Sequence, residues 1–86
     1  MINSQKREKL EYEMTLCIRE HSKAQAVWRE VRNRIADLAL ESQPIPDELR
    51  GQLDEAAWAL NYYPNHLESL KTDYIAMIKS INIPRD

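Results

Sequence analysis

An 86-residue chain has room for one domain, and its net charge of −2, from 12 basic and 14 acidic residues, gives no global attraction to phosphate backbones or anionic membranes. Gly occurs once, Phe is absent, and charged residues make up 30% of the chain, a composition that leans towards helix. Cys17 is the only cysteine, which excludes an intrachain disulfide; with His21 and His66 it falls short of the four ligands of structural zinc, so no metal and no cofactor are expected.

The N-terminal stretch Met1–Glu8 lacks the apolar h-region of a secretory signal, and nothing approaches the ~18 apolar residues of a membrane span. A soluble, cytoplasmic protein is expected. From Leu10 the apolar residues run Leu10, Met14, Cys17, His21, Ala24, Trp28, Val31, Ile35, Leu38. Their spacing alternates four and three without a slip, a heptad seam with Met14, His21, Trp28 and Ile35 at a and the others at d. Ser4 is placed to cap the start, so one helix is predicted over about residues 4–41.

Ser42-Gln43-Pro44-Ile45-Pro46-Asp47 ends it, because each proline biases the residue before it away from helix. Asp47 is placed as the N-cap of a second helix, over about 47–81, with Glu48 complementing the positive end of the dipole. The second seam is Leu49, Leu53, Ala56, Leu60, Tyr63, Leu67, Leu70, Tyr74, Met77, Ile81. Pro64 interrupts its backbone hydrogen bonding, which predicts either a kink or a break at 61–64, although the heptad phase crosses it unbroken. Residues 82–86 are expected to fray.

A short turn near Pro44 lets the seams zip antiparallel. Leu38 then meets Leu49, Ile35 meets Leu53, Val31 meets Ala56, Trp28 meets Leu60, and Ala24 meets Tyr63. Further along, His21 meets Leu67, Cys17 meets Leu70, Met14 meets Tyr74, and Leu10 meets Met77. Tyr63 meets Ala24 and Trp28 lies one layer from Ala56, the interdigitation of large and small residues by which such a core reaches close packing. The fold class is therefore all-α, an antiparallel helical hairpin forming one domain, and so small a core suggests dimerisation into a helical bundle.

Few residues invite chemistry. His21 at an a position reads either as a pH-sensitive group or as a half-buried histidine bonded to a tyrosine hydroxyl or a carbonyl. Cys17, one turn away, suits a small apolar filler better than a nucleophile, since both side chains point into the seam. Arg19, Lys23, Arg29, Arg32 and Arg34 are the candidate nucleic-acid contacts, but they fall at f, c, b, e and g and interleave with Glu20, Glu30 and Asp37. Glycine-rich phosphate loops, paired zinc-binding histidines and nucleophile elbows are absent from the sequence. The seam also lacks the buried cations with which a small helical enzyme would hold an anionic substrate.

The remaining signal is a second apolar set away from the seam. Trp58 and Tyr62 fall at f and c of the second helix, with Ala59 and His66 near, and Ile75 and Ile78 also lie off the seam. On the first helix Leu16, Ile18 and Val27 do the same. Exposed aromatic and aliphatic clusters mark interfaces. These seven residues are the expected contacts for a second copy, for a protein partner, or for both. The chain is thus expected to be a non-enzymatic interaction module, such as an inhibitor, adaptor or chaperone-like accessory protein of the kind phages and mobile elements encode. The alternatives are a dimeric nucleic-acid-binding regulator of helical-hairpin type and a structural subunit of a larger assembly.

Overall fold

In the computed structural model, which describes the backbone of residues 2–82 and the side chains of 5–80, two helices account for nearly all of the chain. Helix α1 spans Ile2–Leu40 and helix α2 spans Asp47–Asn82, packed along their length as the expected hairpin. The result is a rod of 72 × 18 × 15 Å. Of the tail, Asn82 closes α2, and residues 83–86 lie outside the described residues.

Two helix starts differ from expectation. Helix α1 begins at Ile2, so Ser4 lies inside its first turn and not at the expected cap position. At the second helix the carbonyl of Pro46 accepts from the amides of Leu49 (3.1 Å) and Arg50 (3.3 Å), which makes Pro46 the cap residue. Asp47 falls one position inside, where its charge and that of Glu48 still complement the dipole. Helix α2 also runs through Pro64 without a break, removing the alternative of an interruption at 61–64. Seam packing on both sides of Pro64 outweighs the one lost backbone bond.

The end of α1 is a closed structure. The Gln43 amide donates to the Leu38 carbonyl at 2.8 Å and the Ser42 amide donates to that of Ala39 at 3.1 Å, with Ser42 at φ 58°. This is the Schellman arrangement, in which the left-handed residue is usually glycine because a Cβ is disfavoured there. Ser42→Gly is therefore expected to stabilise the protein by about 1 kcal/mol, read as a rise in the urea midpoint with unchanged slope. An unchanged or lower midpoint would mean that the serine is not strained.

Burial follows the seam with one departure. The buried apolar residues are Leu10, Cys17, Ala24 and Val31 on α1 and Leu49, Ala56, Leu70 and Met77 on α2. All are d positions, taking Ala56 as d, and they match the expected pairing of Leu10 with Met77, Cys17 with Leu70, and Val31 with Ala56. Leu10, Cys17, Leu70 and Met77 form one cluster, flanked by Met14, Tyr63, Leu67 and Tyr74. The a positions Met14, His21, Trp28, Ile35, Leu53, Leu60, Leu67 and Tyr74 are only half-buried. The seam is thus centred on d, and not shared equally by a and d as the heptads alone imply. Small d residues (Cys17, Ala24, Ala56) let the backbones approach there, which pushes the bulkier a residues to one side.

Candidate interaction surfaces

Because d lies at the centre, the hairpin has two flanks, one bordered by g and c positions and the other by a, e and b. The seven off-seam residues are all exposed, but they do not form one patch. Leu16, Val27, Trp58 and Tyr62 lie on the g/c flank. Ile18 lies on the opposite flank with His21, Pro64 and Leu67. Heptad position places Ile75 and Ile78, at b and e, on that second flank.

The g/c flank carries an aromatic ladder. Trp58 stacks on Tyr62 with ring centroids 4.7 Å apart and planes 10° from parallel, and Tyr62 stacks on His66 at 5.5 Å and 17°. Residues four apart on a helix lie one above the other, so 58, 62 and 66 align by backbone geometry alone. Tyr63 leans the same way and meets Tyr62 edge-on at 5.1 Å and Trp58 at 6.4 Å. Trp58 is nonetheless 60% exposed. Beside the ladder runs an open groove of about 500 Å³, floored by Ala24, Val31, Ala56 and Ala59. Ala24 on α1 and Ala56 and Ala59 on α2 leave space there, and Tyr63 borders it. Glu20, Glu30 and Glu55 edge the groove against one guanidinium, Arg34, and Glu13 borders the ladder side.

The a/e flank differs in kind. Among the described residues it has no ring ladder, and its half-buried a residues run from Met14 and Tyr74 at one end to Ile35 and Leu53 at the other. Its polar features are local: the Tyr74 hydroxyl donates to Glu11 Oε2 at 2.6 Å, and the Arg32 guanidinium lies 5.0 Å above the Trp28 ring. The bond to Glu11, with burial second, pushes the Tyr74 pKa above the usual tyrosine value. The side-chain hydrogen bonds among the described residues do not include one from His21, to a tyrosine hydroxyl or to a carbonyl; the bonded tyrosine is Tyr74.

The remaining sequence candidates are placed as follows. Cys17 is buried, and desolvation, then the charge of Glu13, raises its thiol pKa, which opposes nucleophile chemistry. Among the described residues no group of three or more His, Cys, Asp and Glu is placed to hold a metal ion. Arg19, Lys23, Arg29, Arg32 and Arg34 are all exposed but are divided between the flanks and the outer surface, and Lys23 pairs with Glu20 at 3.4 Å. No described helix is long and apolar enough to cross a membrane. Compared with known proteins, the chain matches no family model, no curated protein and no solved structure.

Sequence reasoning missed the half-exposure of the a stripe and the groove floor. The signal for both lay in side-chain size: alanine and cysteine at d, tryptophan, leucine and isoleucine at a.

Proposed function

We propose that the chain is a non-enzymatic protein-interaction module that docks on another protein through the Trp58–Tyr62–His66 flank, as an inhibitor, adaptor or chaperone-like accessory protein of the cytoplasm. The observation that carries this is the pre-stacked, solvent-facing ring ladder beside an alanine-floored groove. Large aromatics that are already ordered lose little freedom on binding, and such residues dominate interface energies. The rim favours one chemistry of partner. Glu30, Glu55 and the Lys23-paired Glu20 outnumber Arg34 around the groove, and Glu13 lies on the ladder side, so a partner segment with an apolar ridge and basic edges is matched in charge. The same carboxylates repel phosphate, which argues against nucleic acid on this flank.

Trp58→Ala is the test. The side chain is exposed, so helicity and thermal stability should change by less than about 1 kcal/mol. Binding to a protein captured by the wild type from host lysate, and identified by mass spectrometry, should weaken roughly thirtyfold. Retention of full affinity in the variant would remove this flank as the docking site. Binding of mixed RNA at low salt, lost steeply as salt rises, would replace the protein partner with a nucleic acid.

A further inference from the structure

We infer that the a/e flank is covered by a second copy of this chain, packed face to face so that the half-buried stripe becomes the centre of a four-helix bundle. The occupant follows from area and shape. A compact monomer of this mass, 10.1 kDa, exposes about 5,300 Å², whereas this chain exposes 6916 Å². The excess, about 1,600 Å² per chain or about 3,200 Å² for a pair, falls in the range buried by obligate homodimers. Its radius of gyration, 19.6 Å, likewise exceeds the ~12 Å of a compact chain of this length.

The chain's own core is thin: its buried residues are small or keep 4–8% of their surface exposed, and none of its large side chains falls below 2% exposure among the described residues. The stripe supplies what is missing. Trp28, Leu60, Ile35 and Leu53 are large, apolar and half-exposed, and they run lengthwise along both helices. A partner that covers such a stripe must itself be a long rod with an apolar face, and this chain is a rod of 72 Å with that face. Ile18, Ile78 and Ile75 border the stripe and extend it. A small folded partner meets only part of the stripe, whereas a second hairpin meets all of it.

A dimer closed on this side leaves the aromatic flank of each copy facing outward. That two-sided display rests on the interaction-module reading above; the dimer itself does not. The two can fail separately, because Ile18 and Ile78 lie opposite Trp58.

Sedimentation equilibrium of the full chain tests it, from about 1 to about 100 µM, with thermal unfolding followed by circular dichroism over the same range. The wild type should run at twice the 10.1 kDa chain mass. Its midpoint should rise with concentration, as association requires. The double variant Ile18→Glu, Ile78→Glu changes two exposed residues and should weaken dimerisation roughly a hundredfold by placing like charges in the contact. Trp58→Ala should leave the mass unchanged. If the double variant unfolds while the wild-type midpoint depends on concentration, the dimer stands, with folding coupled to association. A helical wild type at monomer mass at the highest concentration overturns the inference. So does a dimer broken by Trp58→Ala but not by the double variant, which would move the contact to the other flank.

Discussion

Replacing Pro64 with alanine is expected to stabilise the protein by about 2–3 kcal/mol, a rise of roughly 10–20 °C in the thermal midpoint of so short a chain. Proline in a helix interior costs about 3 kcal/mol relative to alanine, through the missing amide and the clash of its ring with the turn before it. Here the Leu60 carbonyl is the acceptor left without its usual amide donor, in a helix that continues unbroken for 36 residues from Asp47 to Asn82. Part of the gain is offset because the half-buried ring lines the a/e flank with Ile18, His21 and Leu67. Urea unfolding with an unchanged slope would confirm a gain in the native state. A fall in stability would show that the ring's packing outweighs the backbone term. If the gain comes with weaker self-association, the proline has been retained for the shape it gives that flank, a trade between stability and function found at many sites.

The proline also shows what periodicity can and cannot carry. The four-three spacing crosses residue 64 without a slip, and the helix is continuous there, so the apolar pattern predicted the backbone better than the local breaker did. Periodicity likewise gave the pairing of Leu10 with Met77 and of Cys17 with Leu70, which share one cluster. It could not rank a against d, since both positions are apolar. That ranking depends on side-chain volume across the pair: with Ala24, Ala56 and Cys17 at d, the helices close on d and leave Trp28 and Leu60 half in water. The cap at Ser42 was hidden for another reason. Serine gives no positive-φ signal in a sequence, and the two hydrogen bonds that fix it belong to the backbone. For the surface, helical position identified seven exposed residues, but their separation into two flanks required knowing which seam position lay at the centre.

A matched pair of leucine truncations turns that asymmetry into an energy difference. Leu70 is 5% exposed within the cluster of Leu10, Cys17 and Met77, and Leu70→Ala is expected to cost about 2–4 kcal/mol, close to the whole stability of a small hairpin. Leu60 carries the same side chain at an a position and is half-exposed in one hairpin, so Leu60→Ala there removes less buried area and should cost about 1 kcal/mol. A second copy on the a/e flank changes the order. Leu60 then lies at the centre of four helices, its truncation leaves a cavity of the same kind as that of Leu70, and the two costs converge. Because burial of Leu60 depends on association while that of Leu70 does not, only the Leu60→Ala cost should grow with protein concentration. Urea unfolding of both variants at two concentrations reads this directly. A Leu60→Ala cost fixed near 1 kcal/mol at every concentration would mean that the stripe stays open to water or is covered by something other than a second hairpin.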